Sequence, residues 1–185
     1  MILAGIDYSY TSPSICIYNT SDTLDFLNLK FFNLTDKKRV VGVYDNIQIA
    51  NFPEYSTQEE RFRNIASWAS NVLSSNMVEQ ACIEGYSFGA SSGLVFQIAE
   101  NTSLIKQYMN INGIPFTSTP PSQVKRNFTG KGNAKKPDMV DMFHNTFPGY
   151  VLQDILKVNP MAKPIDDLCD AYAILQCHSH FNFER

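Results

Sequence analysis

The sequence predicts an α/β domain, a mixed sheet with helices on both faces. Three observations carry this expectation. The first 52 residues run in short, β-branched, alternating stretches separated by turn residues, which suits neighbouring antiparallel strands. From residue 57 onward, helically spaced runs alternate with short apolar runs, which suits strands joined by crossover helices. Finally, 185 residues with 44% apolar and 18% charged side chains form one globular domain, residues 1–185, with a core of useful depth.

The elements follow in order. Residues 2–6 (ILAGI) form an apolar run ending at Asp7, and SICIY (14–18) continues after a Ser/Pro/Ser turn, giving a central strand, a turn and a second strand. Residues 24–34 alternate at period two, another strand, and 40–52 (VVGVYDNIQIANF) form a further strand, single or split, stopped by Pro53. Thr57 and Glu60 make a capping box that opens a helix through about Ser75, with Phe62, Ile65, Trp68, Ala69 and Val72 in its apolar stripe. QACIEGY (80–86) is a buried strand carrying Glu84, followed by the small-residue loop SFGASSG and a helix over about 94–111. IPFTSTP (114–120) is a strand, 122–136 is a basic, glycine-dotted stretch, and Pro137 starts a helix to about Phe147. Pro164 precedes a last helix, DDLCDAYAILQCHSHF.

Charge narrows the function classes. The net charge of -3 excludes a non-specific nucleic-acid coater, yet Lys125, Arg126, Lys131, Lys135 and Lys136 place five of 15 basic residues in one acid-free window. A basic face on an acidic protein suits a partner contacted at one place. No apolar run approaches the ~18 residues of a membrane span, and MILAGIDYSY has no basic, cleavable leader pattern. The four cysteines, Cys16, Cys82, Cys169 and Cys177, lack metal-type spacing and read as reduced core residues of a cytoplasmic protein.

Acids stand where a sheet protein normally avoids them. Asp7 follows one apolar strand, Glu84 sits in another, and Asp166, Asp167 and Asp170 open an otherwise apolar helix. Asp167 and Asp170 are three apart, Asp166 and Asp170 four, so each pair shares a helix face. Singly, each has an ordinary reading: Asp7 in a turn, Glu84 in an ion pair, Asp166 as a cap, Asp167 and Asp170 as solvated helix-start acids. Jointly, clustered carboxylates repel unless hard divalent cations join them. His144, His178 and His180 read as helix-surface or helix-end residues.

Four stretches in order, GIDYSYTSPSICIY, ACIEGYSFGASSG, PPSQVKRNFTGKGNAKKPDM and DDLCDAYAIL, resemble the RuvC-type Holliday-junction resolvases of the RNase H-like superfamily. The IEGYSFG segment is similar to that of phage members. The resemblance implies a five-stranded mixed sheet, three antiparallel strands then two parallel, flanked by helices. It implies that Asp7 bridges two Mg²⁺ ions (Mn²⁺ substituting), with Glu84 completing one shell and Asp167 and Asp170 the other. It implies that Lys125 and Lys136 contact phosphate or stabilise charge in the transition state, beside Arg126, Lys131 and Lys135. An aromatic, Tyr86 or Phe88, is implied to stack at the junction centre. The sequence leaves open which aromatic acts, and whether Asp166 or Asp167 is the ligand.

The expected function is a Mg²⁺-dependent endonuclease that nicks four-way or other branched DNA symmetrically, leaving a 5′ phosphate. Two symmetric cuts imply a C2 homodimer. The helix at 94–111 is a candidate interface through Leu94, Val95, Ile98, Leu104, Ile105 and Met109, with core packing an equal reading. The rivals are an RNase H-like nuclease acting on RNA/DNA hybrid and a non-cleaving branched-DNA binding module. An actin-like ATPase, which shares a GID start, needs two such domains and is disfavoured by the length of 185 residues.

Overall fold

Strand pairing begins with the two apolar runs at the start of the chain. In the computed structural model, which describes residues 1–86, 92–160 and 162–183, β1 (Ile2–Asp7) pairs antiparallel with β2 (Ser14–Asn19). β2 pairs antiparallel with β3 (Leu29–Thr35). On the other side of β1, β6 (Gln80–Glu84) runs parallel, and β7 (Phe116–Thr119) runs parallel to β6. These five strands have the expected arrangement, three antiparallel and then two parallel.

The sheet nevertheless has seven strands, not five. The stretch at 40–52 splits into β4 (Gly42–Tyr44) and β5 (Ile47–Asn51), an antiparallel hairpin laid parallel along β3. Asp45 at its turn has φ 49°, a left-handed conformation that Asp tolerates and that reverses the chain. The order across the sheet is β4-β5-β3-β2-β1-β6-β7. The strand expected at 24–34 starts later, because a short 3-10 turn occupies Phe26–Asn28 and the Asp25 side chain accepts from Leu27 N at 3.1 Å.

Helices cover both faces. On one face lie α1 (Gln58–Ser75) and α2 (Ser92–Ile111), over a core containing Ile6, Ile15, Ile65, Leu73, Ile83, Ile105 and Met109. Thr57 Oγ1 accepts from Glu60 N at 3.2 Å, so α1 starts at the expected cap. On the other face lie α3 (Pro121–Thr129), α4 (Lys136–Thr146), α5 (Leu152–Leu156) and α6 (Ile165–Leu175), over Leu3, Cys16, Phe31, Cys82, Phe143 and Tyr172. α3 falls in the basic, glycine-dotted stretch, where no helix was expected; Pro121 starts it and Gly130, at φ 79°, ends it in the left-handed region. α5 carries no clear sequence signal.

Alternation along the strands decides what faces α6. Leu3, Gly5 and Asp7 share one face of β1, and Cys82 and Glu84 share the same face of β6. α6 lies directly on β1 and β2. A Cβ at Gly5 would stand 2.3 Å from both Ala171 O and Leu175 N, so only glycine lets the helix backbone approach this closely. The fit is closed from behind by His178, which is buried rather than at the surface; its Nε2 lies 3.0 Å from Ala4 O. His144 is part-buried, its Nε2 accepting from Leu152 N at 3.3 Å. Cys16, Cys82 and Cys169 are buried free thiols, and Cys177 is half-buried rather than in the core.

Candidate active site

β1 and β6 are adjacent and parallel with Ile6 opposite Ile83, so Asp7 and Glu84 end side by side. The first turn of α6 adds Asp166 and Asp167, both almost fully buried, and Asp170 follows one turn on, half-buried. Burying so many carboxylates disfavours their charged forms. Asp7 is pushed well above the carboxylate range by burial, then by Glu84, Asp170 and Asp167. Glu84 is pushed up to about 7 by burial and by Asp170. Asp170 is pushed up to about 6 by burial and by Asp166 and Asp167. Asp167 is raised by burial against the opposing pull of Lys163. Asp166 behaves differently: burial pushes it up, but the Lys136 and Lys163 ammonium groups hold it below its ordinary value.

Lysines surround the acids. Lys136, the first residue of α4, donates to Asp166 Oδ2. Lys163 donates to Asp167 Oδ1 and lies 3.4 Å from Asp166 Oδ2. The charge of Lys125, on α3, acts on Glu84 and Asp170. Arg126 and Lys131 are exposed further along α3 and its following loop, and Lys135 is exposed ahead of α4, its N–H bonded to Asp138 Oδ2 at 2.7 Å. Among the expected basic residues, Lys136 therefore bonds to one of the acids and Lys125 acts on two of them through its charge alone, while Arg126, Lys131 and Lys135 are exposed.

Two supporting groups lay beyond the sequence reading. Lys163 stands three and four residues before the two aspartates, a spacing visible in the sequence but interrupted by Pro164. Asn33 is an amide buried in an otherwise apolar part of β3; its Nδ2 donates to Ser14 Oγ at 2.9 Å and Ser12 Oγ at 3.1 Å. The Ser12 hydroxyl in turn favours the ionised form of Asp167. The loop after Asp7 is pinned to α1 by Arg61, whose guanidinium donates to Tyr10 O at 3.0 Å and sits 4.3 Å over the Tyr10 ring.

Beside Asp7 and Glu84 opens a cleft of about 330 Å³ walled by Tyr8, Tyr10, Tyr86, Ile98 and Thr102. Tyr86 lines it with the Lys106 ammonium 4.9 Å from its ring centroid. Phe88, the alternative stacking aromatic, lies outside the described residues.

Among the described residues, no three Asp, Glu, His or Cys side chains converge on one point in a metal-holding arrangement. Asp166 and Asp167 are turned toward lysines instead. The donor set still fits a hard divalent cation. It consists of carboxylate oxygens, Asp166 Oδ1 and Asp167 Oδ2 are buried with no hydrogen-bond partner among the described residues, and the crowding that raises Asp7, Glu84 and Asp170 is the kind a cation relieves.

Comparison with known proteins gives the chain a family. Residues 36–178 match the family model described as crossover junction endodeoxyribonuclease RuvC, a span that includes Glu84, the basic block and the α6 acids; Asp7 lies ahead of it. The RuvC crossover junction endodeoxyribonuclease of Brachyspira hyodysenteriae is 32% identical over 102 residues, 55% of this chain and 56% of that protein. The chain thus spans little more than half the length of that relative. The RuvC of Petrotoga mobilis is 25% identical over 181 residues, 98% of this chain and 94% of that protein. Thermus thermophilus RuvC, solved in complex with a Holliday junction substrate, shares the fold with a TM-score of 0.64 at 20% identity, covering 98% of this chain and 94% of that one. With more than three quarters of its length matched by the family model, the chain belongs to the crossover junction endodeoxyribonuclease RuvC family.

Proposed function

We propose that the protein is a metal-dependent endonuclease that resolves four-way DNA junctions by paired symmetric nicks. The observation that carries this reading is the meeting of Asp7, Glu84, Asp167 and Asp170 at the joined ends of β1, β6 and α6, with a basic rim beside them. Family membership supports the activity, and the junction-bound Thermus relative supports the substrate.

In this reading Asp7, Glu84, Asp167 and Asp170 hold two Mg²⁺ ions, with Mn²⁺ able to replace them. When bound, the ions supply a water made nucleophilic at neutral pH and charge compensation at the leaving oxygen. The water oxygen bonds to phosphorus as the P–O3′ bond breaks, and the 3′ oxygen takes up a proton. The products are a 5′ phosphate and a 3′ hydroxyl. Lys125 and Lys136 bind the negative phosphate oxygens, and their fixed charges meet the charge that grows in the transition state. Arg126, Lys131 and Lys135 extend that contact along the DNA backbone. Tyr86 offers a ring for an unstacked base at the junction centre. Two cuts in a near two-fold substrate require two such sites, hence a homodimer. The free cysteines suit a cytoplasmic setting.

The test is incubation of labelled four-way junction, linear duplex, Y-fork and RNA/DNA hybrid with the protein in Mg²⁺. Paired symmetric nicks in the junction, lost in Asp7→Asn, are expected. Cleavage of the hybrid alone would make the protein an RNase H, and binding of the junction without cleavage in Mg²⁺ or Mn²⁺ would make it a binding module.

A further inference from the structure

Asp166 differs from the other acids in what it touches. Its Oδ2 accepts from the Lys136 ammonium and lies 3.4 Å from that of Lys163, so one carboxylate oxygen ties two lysines from separate segments. Asp167, about 100° further round the helix, takes Lys163 through Oδ1 and lies within reach of the Ser12 hydroxyl. Here the two ammonium groups balance Asp166 and Asp167, and both reach the surface, because the side chains of Lys136 and Lys163 are 61% and 36% exposed while that of Asp166 is 5% exposed. Once Asp167 is given to a cation, the two lysines outnumber the one carboxylate that still holds them. A buried anchor carrying two accessible cations is a suitable receptor for a phosphate.

We propose that Lys163 is a third phosphate-contacting lysine of this site, and that Asp166 is a positioning residue for Lys163 and Lys136 and not a metal ligand. The inference rests on the nuclease reading above and divides the acids within it. Asp7, Glu84, Asp167 and Asp170 serve the metal, and Asp166 serves the lysines. When Asp167 turns from Lys163 to a cation, Asp166 still holds Lys163 at the rim. The competing assignment is concrete, because Asp166 Oδ1 has no hydrogen-bond partner among the described residues.

Two measurements on the full chain separate these assignments. Mn²⁺ binding is followed by electron paramagnetic resonance in the unaltered protein, Asp166→Asn and Asp167→Asn. Asp166→Asn is expected to bind Mn²⁺ within about twofold of the unaltered protein, and Asp167→Asn to lose affinity by more. At saturating Mn²⁺, Asp166→Asn is expected to cut the junction about 10- to 100-fold more slowly, the usual scale for losing a supporting partner. Loss of Mn²⁺ binding in Asp166→Asn equal to that in Asp167→Asn would overturn the proposal. Junction affinity in EDTA is also measured against salt. Lys163→Gln, a substitution at a half-exposed side chain, is expected to reduce the slope of log affinity against log salt by about 0.9. An unchanged slope would remove Lys163 from the phosphate contacts. If the unaltered protein neither binds nor cuts any junction, the nuclease reading itself fails.

Discussion

The carboxylates proposed to hold metal also weaken the fold that holds them. Glu84 and Asp170, pushed up to about 7 and about 6, bind protons more tightly in the folded chain than in the unfolded one, and Asp7 does so too. The metal-free protein therefore loses stability as the pH rises from the ordinary carboxylate range through about 7. Asp166, held low, opposes this only under more acidic conditions. Thermal melts in EDTA are expected to show a falling Tm between pH 5 and 8, with Mg²⁺ restoring it at pH 8. Asp7→Asn, expected to be inactive, should melt higher than the unaltered chain in EDTA at pH 8, by about 2–4 °C per kcal/mol of repulsion removed. A lower Tm would mean that Asp7 is paired rather than repelled. At this scale the sequence was informative about the acids, since Asp7 and Glu84 interrupt apolar strands and the structure places them together. It was silent on Lys163 and Asn33, whose roles depend on neighbours brought in by folding.

Among the elements, α6 and β1 are the decisive pair. Gly5→Ala would drive a Cβ into backbone atoms of α6 that have no rotamer to yield, at 2.3 Å from Ala171 O. A cost of about 3 kcal/mol or more is expected, at the upper end for overpacking, with junction cleavage lost because α6 carries Asp167 and Asp170 away from Asp7. Denaturant melts and the cleavage assay check both parts, and full activity would show that α6 can slide without harm. The sequence identified α1, α4 and α6 from Thr57, Pro137 and Pro164, which are local signals at helix starts. It missed α3, where a run of charges and the glycines just beyond its end mask a short helix, and it left 40–52 open between one strand and two because Asp45 turns the chain without a glycine or proline.

For the whole molecule, the sheet buries part of α2 and leaves the rest uncovered. Ile105 and Met109 belong to the core, as one of the two readings held, while Leu104 is 41% and Phe96 71% exposed. The side chain of Leu94 lies outside the described residues. Phe96→Glu is expected to split the proposed dimer in sedimentation velocity while leaving the melt within about 0.5 kcal/mol of the unaltered protein, as for a surface change. The resulting monomer should nick a junction once and release it uncut on the opposite strand. A variant that remains dimeric and cuts twice would place the interface elsewhere.

The contact between α6 and Gly5 also bears on synthesis. Asp7 is translated early and Asp170 late, so the strand pairings among β1, β2 and β3 can form on the ribosome long before the site exists. A product interrupted before α6 would carry its first acid without the helix that completes the set. In the proposed mechanism such a product does not cut DNA, and cleavage arrives only once α6 has been made.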